Sequence, residues 1–289
     1  MFSKVKEIQG HAGAIYALDY SNDFPYTGGA DRFVTRWQVD AGNQDNFAIK
    51  FPQAVYSLRL VGSNFLAVGL ASGSIHIFDL EAKKEIHHFT VHQSAVFGLS
   101  YSKKINRLYA SDADGNLSVW DAKDFKLVIT LPLDTRKIRH IALNEEESVV
   151  GLSCQDGKLR LIDAENFNEI ARLEGHEGGC NTSLFCGEKI ISGAKDARLR
   201  IWDLNTFECK EIVPAHNYAV YDLVRVGDNV ISASRDKTIK VWDLNLQFLK
   251  RLDRKEGGHQ HSVNKLIPDG NDGFYSISDD RRLIYWRKG

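Results

Sequence analysis

Histidine, aspartate and a hydroxyl residue recur in this chain at spacings that suggest proton-transfer chemistry. In each copy a histidine precedes an aspartate by about twenty residues, a serine or threonine lies between them, and a tryptophan stands six residues after the aspartate. Four copies are complete: His11, Thr27, Asp31, Trp37; His176, Ser192, Asp196, Trp202; His216, Ser232, Asp236, Trp242; and His259, Ser276, Asp280, Trp286. A Ser–His–Asp set can activate a nucleophile, but such a site is single and opens onto a cleft. Because this set recurs and ends on an indole, we interpret it as structural and predict no catalytic residue.

The other histidines and the cysteines form no metal-binding pattern in the sequence. Five histidines lie outside the four sets and show no repeating ligand spacing: His76, His87, His88, His140 and His261. The adjacent pair His87 and His88 could contact a metal, but we interpret it as a polar pair at the end of a strand. No C-x-x-C pair occurs among the four cysteines, Cys154, Cys180, Cys186 and Cys209. The cysteines therefore indicate neither a zinc site nor a disulfide framework, and we predict no metal, no cofactor and a reducing compartment.

The spacing of the tryptophans reveals the period at which these residues repeat along the chain. The two gaps in the tryptophan series are filled in register by Phe78, six residues after Ser72, and by Ile162, six residues after Asp156. The seven positions are then separated by 41, 42, 42, 40, 40 and 44 residues. Such a period is typical of repeat architectures. We expect residues 1–289 to form a single domain of seven repeats, with no room for a second.

Each repeat has the pattern of four short strands. In the sixth copy, three β-branched stretches cover 220–223, 230–234 and 238–244, and a fourth covers 248–252. Turn residues at 227–229 and 235–237 separate the first three, as in hairpins. No repeat shows a 3.6-residue apolar rhythm, which argues against helices. Four antiparallel strands repeated seven times indicate an all-β, seven-bladed β-propeller.

The same positions resemble the WD-repeat family over the whole chain. The Trp-Asp dipeptide stands at residues 120–121, 202–203 and 242–243, and the upstream Gly-His pair at 10–11, 175–176 and 258–259. The resemblance implies that each His, Ser or Thr, Asp and Trp set forms a hydrogen-bonded relay that satisfies buried polar groups. The sequence before His11, from Lys4 to Ile8, is similar to the fourth strands of other repeats, so we expect the N-terminal strand to complete the seventh blade.

Three repeats depart from the family pattern. Repeat two has Phe51 near the histidine position, Ser72 for aspartate and Phe78 for tryptophan. Repeat four has Asp134 near the histidine position and Ile162 for tryptophan. We expect both blades to form without a relay, held by packing against their neighbours. Repeat three keeps His92, Asp114 and Trp120 but has Ala110 at the hydroxyl position, so we expect an incomplete relay there.

The family resemblance also indicates where partners would bind. In WD-repeat proteins one residue of each inner strand tends to line the mouth of the central channel, and the matching residues here are Tyr16, Tyr56, Phe97, Arg139, Asn181, Tyr221 and Asn264. Four of the seven are aromatic, the composition of a protein-binding hot spot that would suit a peptide side chain, including a cationic one. An outer set just before the turn aspartates could supply a polar rim: Lys195, Arg235, Asp279 and Gln155.

Charge and hydropathy narrow the function classes. The chain has 37 basic and 38 acidic residues, so no polyanion-binding surface is indicated and direct nucleic-acid binding is not expected. No window is long and apolar enough for a membrane span, and we expect a cytoplasmic, monomeric propeller that works within a larger complex. The leading hypothesis is a non-enzymatic scaffold that binds peptide or protein partners through the loop face around the channel. The alternatives are a subunit of a nucleic-acid-associated complex and, less favoured, a propeller enzyme with carboxylates or histidines around the channel axis.

Overall fold

Seven sheets of four antiparallel strands make up the fold in a computed structural model that describes residues 1–21 and 24–289. The first fourteen strands are β1 (Phe2–Gln9), β2 (Ile15–Ser21), β3 (Phe24–Gly29), β4 (Phe33–Gln38), β5 (Asn43–Lys50), β6 (Val55–Val61), β7 (Phe65–Leu70), β8 (Ile75–Asp79), β9 (Lys84–Phe89), β10 (Val96–Ser102), β11 (Arg107–Asp112), β12 (Asn116–Asp121), β13 (Lys126–Pro132) and β14 (Ile138–Leu143). The other fourteen are β15 (Val149–Cys154), β16 (Leu159–Asp163), β17 (Glu169–Leu173), β18 (Cys180–Cys186), β19 (Lys189–Ala194), β20 (Arg198–Asp203), β21 (Cys209–Pro214), β22 (Val220–Val226), β23 (Asn229–Ser234), β24 (Ile239–Asp243), β25 (Phe248–Leu252), β26 (Val263–Pro268), β27 (Gly273–Ser278) and β28 (Arg282–Lys288).

Consecutive groups of four strands form the blades. Strands β2 to β5 form blade one, and each following group of four forms the next blade through β25. Blade seven has the order β1-β28-β27-β26. The predicted seven-bladed β-propeller, with its last blade completed by the N-terminal strand, is confirmed.

By its internal contacts the chain divides into two compact units, residues 1–58 with 216–289, and residues 59–215. In the first unit one apolar cluster contains Phe2, Phe274 and Trp286, and another contains Ile8 and Trp37. In the second unit Trp120, Ile162 and Trp202 lie in three separate clusters. Six of the seven tryptophan-like positions are therefore buried in the core, whereas Phe78 is half-buried.

Burial explains why inner and outer strands differ in sequence. All six residues of β23 are buried, which suits its apolar and small side chains. The outermost strand β21 instead alternates between exposed and half-buried residues. Such alternation is expected of a strand with one solvated face.

A β-bulge recurs between the third and fourth strands of the blades. In blade two, Ile77 pairs with His87 but Phe78 pairs with Glu85, which leaves Ile86 without a partner in the ladder. The same register shift occurs at Trp120, Ile162, Trp202 and Trp242. One extra residue on the outer strand changes which of its side chains share a face.

The N-terminal strand is fixed by packing as well as by pairing. Strand β1 runs antiparallel to β28, from Phe2 opposite Lys288 to Gln9 opposite Arg282. Phe2 is buried, and its ring lies 5.3 Å from that of Phe274 in an edge-on contact. The sequence similarity to fourth strands thus reflects the same place in a blade.

The widest spacing in the repeat series has a local cause. A short 3₁₀ helix spans Arg254–Glu256 between blades six and seven, capped by Asp253, whose side chain accepts from the Lys255 N–H, and by Gly257 at φ 76°. These residues lie within the 44-residue step from Trp242 to Trp286. Among the residues described, no helix is long and apolar enough to cross a membrane.

Candidate functional site

The four predicted sets of His, Ser or Thr, Asp and Trp form closed hydrogen-bonded chains. In blade one, His11 Nδ1 lies 2.7 Å from Asp31 Oδ2 and His11 Nε2 lies 2.7 Å from Thr27 Oγ1. The Trp37 indole donates to the same hydroxyl at 2.6 Å. Blades five, six and seven repeat this geometry, with histidine–aspartate distances of 2.9, 2.9 and 3.1 Å and histidine–serine distances of 2.7, 2.8 and 2.8 Å.

The donors and acceptors of this relay match when the histidine is neutral. An indole N–H can only donate, so the hydroxyl oxygen accepts a hydrogen bond from it. The hydroxyl group then donates its own O–H to Nε2 of the neutral histidine. The histidine then donates from Nδ1 to the carboxylate. Each hydrogen bond of the relay then has one proton, and every polar side-chain group of the relay has a partner.

The pKa shifts in blades six and seven agree with this proton arrangement. Burial lowers the pKa of His216 and His259, and hydrogen bonds to their aspartates offset this only partly. Burial acts to raise the pKa of Asp236, but the hydrogen bond and charge of His216 lower it overall. The directions of these shifts favour neutral imidazole beside ionised carboxylate, and the hydroxyl is engaged on both sides. This arrangement suits a structural role better than a nucleophile.

Blade three completes its relay with different residues, so the expectation of an incomplete relay was wrong. His92 Nδ1 lies 2.8 Å from Asp112 rather than contacting Asp114, and His92 Nε2 lies 2.8 Å from Ser118. The Trp120 indole donates to Ser118 at 3.0 Å. Ser118 pairs directly across the ladder with Ala110. The hydroxyl of this relay is thus supplied by β12 instead of β11. It still lies between the histidine ring and the indole, as in the other relays.

Blades two and four lack the loop histidine and have a buried polar residue on the third strand, two residues before the tryptophan position. In blade four the buried Arg160 donates from Nη2 to the backbone oxygen of Asp134 at 2.6 Å, so Asp134 takes part through its backbone. In blade two His76 occupies the corresponding position, and Phe51 is buried. Both blades retain four strands, as predicted for blades that form without the family relay.

Four residues of the first unit form what we call the acidic patch: Tyr16, Tyr56, Asn264 and Asp279. The rings of Tyr16 and Tyr56 lie 5.3 Å apart. The Asn264 side chain donates to Asp279 Oδ1 and to the Ile15 oxygen, both at 2.8 Å. Burial raises the pKa of Tyr16, and the nearby Asp279 and Tyr56 raise it further. An exposed carboxylate thus lies beside two half-buried rings.

Four residues of the second unit form what we call the basic patch: Phe97, Lys137, Arg139 and Lys195. Lys137 Nζ lies 4.1 Å above the centre of the Phe97 ring, and the Arg139 guanidinium lies 5.7 Å from it. Burial lowers the pKa of Lys137, and the charges of Arg139 and Lys195 lower it further. Two cations therefore lie beside one aromatic ring, and Lys195 adds a third positive charge close enough to act on Lys137.

Lys137 was missed by the sequence analysis. The predicted contact residues were one per inner strand, and Lys137 precedes the first residue of β14. The basic run from Arg136 to Arg139 was the available signal. Lys137 also accepts, through its backbone oxygen, the N–H of the predicted rim residue Gln155 at 2.8 Å.

The remaining predicted contact residues differ in exposure. Asn181 is buried, so its side chain offers no exposed contact surface. Tyr221 is half-buried, and Arg235 is exposed with its guanidinium 5.9 Å from the ring of the exposed Tyr218. The geometry therefore associates only some of the predicted residues, within two separate patches.

One group among the described residues has the composition of a metal site. His76, Glu85 and His88 place potential ligand atoms within 4.8 Å of one another. His76 is buried, whereas Glu85 and His88 are exposed. These residues belong to blade two and lie outside both patches.

Comparison with known families identifies the class of the protein. The family described as WD domain, G-beta repeat matches residues 2–38, 167–203 and 207–243, and the family described as Anaphase-promoting complex subunit 4 WD40 domain matches residues 55–104. The matched residues together make up more than half of the chain. The chain belongs to the WD-repeat family, as its repeat pattern predicted.

Several curated proteins are similar to parts of the chain. An F-box/WD repeat-containing protein A-like protein of Dictyostelium discoideum is 22% identical over 66% of this chain and 17% of its own length. Autophagy-related protein 16 of Arabidopsis thaliana is 22% identical over 67% of this chain and 38% of its own length. The human DDB1- and CUL4-associated factor 5 is 28% identical over 41% of this chain and 14% of its own length. In each case the match spans well under half of the relative.

Proposed function

We propose that this protein is a non-enzymatic scaffold that binds peptide segments of partner proteins through its acidic and basic patches. The repeated histidine, serine and aspartate residues are engaged in blade structure and have no role in this proposal. Support comes from the family and from relatives whose names describe association with other proteins, such as the human DDB1- and CUL4-associated factor. Function then depends on side chains that do not repeat from blade to blade.

The basic patch fits an acidic peptide segment. Lys137 already covers the Phe97 ring, so an incoming cation would meet like charges rather than a free aromatic face. An incoming carboxylate would instead be attracted by Lys137, Arg139 and Lys195 together. Partial burial strengthens such attraction because screening by water and salt is reduced. The association of Lys137 and Arg139 with one ring, with the charge of Lys195 nearby, is the observation that carries the proposal.

The acidic patch fits a basic side chain. A lysine or arginine placed between Asp279 and the tyrosine rings would gain ionic and cation–π contacts, the latter about 0.5–1 kcal/mol at an exposed site. The hydrogen bond from Asn264 fixes the Asp279 carboxylate near the rings before a ligand binds. Preorganisation of this kind reduces the entropic cost of association.

Two labelled peptides of opposite charge test the two patches separately. Fluorescence anisotropy with a glutamate-rich peptide should show binding that Lys137→Glu abolishes, and a lysine-rich peptide should show binding that Asp279→Lys abolishes. Lys126→Glu and Asp272→Lys are matched controls because they change charge equally at other exposed positions. Binding of both peptides unchanged by the two patch substitutions would contradict the proposal.

The nucleic-acid alternative is distinguished by salt dependence. Each phosphate contact to duplex DNA adds about 0.9 to the slope of log affinity against log salt concentration. Three cations in one patch would give a weak, shallow dependence at most. Duplex binding with a steep salt slope, lost in Lys137→Glu, would favour a nucleic-acid-associated subunit over a peptide scaffold.

A further inference from the structure

The trio of His76, Glu85 and His88 differs from the repeated relay because, among the described residues, a group of this composition is found in blade two alone. His76 stands on β8 two residues before Phe78, and the corresponding third-strand residues of blades one and three to six are Thr35, Ser118, Arg160, Arg200 and Lys240. In blade four the corresponding pair is Arg160 and Glu169, 3.4 Å apart, which is an ion pair. Blade two has an imidazole in place of that permanent cation. A neutral imidazole can bind a metal, whereas a guanidinium cannot.

The bulge of blade two brings the trio together. Glu85 and His88 are three residues apart, and regular alternation would place them on opposite faces of β9. The extra residue Ile86 shifts the alternation, and both side chains lie on the side of His76. His88 pairs with His76 across the ladder, and their rings stack 4.2 Å apart. The adjacent His87 instead contacts Phe89 and Phe125.

The geometry points to a zinc-binding site formed by His76, Glu85 and His88, with a fourth position open to water. Zinc takes nitrogen and carboxylate ligands at about 2.0–2.2 Å in tetrahedral geometry, which places neighbouring ligand atoms roughly 3.3 Å apart. His76 Nδ1 and Glu85 Oε1 are 3.0 Å apart, so they need to separate by only a few tenths of an ångström. His88 is exposed and can rotate out of the stacked arrangement to direct a nitrogen at the metal.

The surroundings of His76 support the role of a metal ligand. Its Nε2 lies 3.2 Å from Ser74 Oγ, which in turn lies 2.9 Å from Ser72 Oγ. A histidine ligand commonly donates its second ring N–H to such a group, which fixes the ring orientation. Zinc at His76 Nδ1 would require the single ring proton to lie on Nε2, where it is donated to Ser74 Oγ, while the Glu85 carboxylate turns from that proton to the metal.

Isothermal titration with zinc chloride, using the full chain, tests this inference. Wild type should bind one equivalent of zinc, and the exposed-site variants His88→Gln and Glu85→Gln should each bind at least about tenfold more weakly. The neighbouring variant His87→Gln should retain wild-type affinity, because its ring faces Phe89 and Phe125. A metal-induced rise in the melting temperature should follow the same order.

Several results would overturn the zinc assignment. The titration of the wild-type chain is decisive: failure to bind one equivalent of zinc contradicts the site. Wild-type affinity in either His88→Gln or Glu85→Gln contradicts it equally. Loss of affinity in His87→Gln as large as in His88→Gln would show that the metal binds elsewhere on the strand.

Discussion

At the scale of single residues, the repeated His, Ser or Thr and Asp side chains resemble a catalytic set but stabilise the blades. Ser232 accepts from Trp242 at 2.8 Å and lies 2.8 Å from His216 Nε2, so one hydroxyl satisfies two buried rings. Repetition of this arrangement in blades one, five, six and seven argues against a single reactive centre. The residues that vary from blade to blade, such as Lys137 and Asp279, are better candidates for recognition.

Removal of a relay hydroxyl should destabilise the fold. Ser232→Ala leaves the Trp242 indole N–H and the His216 Nε2 without their shared partner, and each buried unsatisfied group costs about 1–3 kcal/mol. We expect the free energy of unfolding, measured by urea denaturation, to fall by about 2–4 kcal/mol. Ser63→Ala, at an exposed serine, should change it by less than about 0.5 kcal/mol. Equal stability of the two variants would contradict the structural role of the relay.

The neutral histidines also predict how stability depends on pH. The pKa of His216 and His259 is lowered in the folded state from the ordinary value of 6.5, so between these values the unfolded chain binds more protons. Stability is therefore fully present above pH 6.5 and declines as pH falls below it, by up to about 1.4 kcal/mol per pH unit for each histidine. Lowered aspartate pKa values extend the loss below their ordinary value of 3.8. Urea denaturation at pH 7.5 and 5.5 checks this, and higher stability at pH 5.5 would refute it.

At the scale of elements, strand pairing decides which residues meet. The sequence predicted the strands of blade three but misplaced its hydroxyl, because Ala110 and Ser118 are cross-strand partners and either can present a side chain to His92. Asp112 lies at the end of β11 rather than in the turn, where the family pattern places the aspartate. The grouping of His76, Glu85 and His88 in blade two could not be predicted either. It depends on a β-bulge at Ile86, and the alternation of residue types along the strand does not indicate that bulge.

The N-terminal strand should contribute far more stability than a chain end usually does. Phe2→Ala removes a buried ring that packs on Phe274, and a change of this kind typically costs about 3–5 kcal/mol. The same substitution at the exposed Val5 should cost less than about 0.5 kcal/mol. Deletion of residues 2–9 should lower the melting temperature further, because β28 then keeps only β27 as a partner. An unchanged melting temperature after that deletion would contradict the arrangement.

At the scale of the whole molecule, the sequence predicted the fold better than the site. The spacing of the five tryptophans, with Phe78 and Ile162 filling the two gaps in register, was enough to predict seven blades. Each indole recurs because it needs a buried position and a hydrogen-bond partner. Recognition residues carry no such periodic constraint. Lys137 lies just outside a strand and Asn181 is buried, so the choice of one residue per strand missed the first and included the second.

Partner capture from the native host tests most directly whether function depends on the patches. The full chain carrying Lys137→Glu and Asp279→Lys should keep its melting temperature, because both side chains lie at the surface of their blades. Affinity purification with this variant, analysed by mass spectrometry, should fail to recover partner proteins that wild type recovers. The control variant Lys126→Glu should recover the same partners as wild type. Recovery of the same partners by the folded patch variant would contradict the central claim.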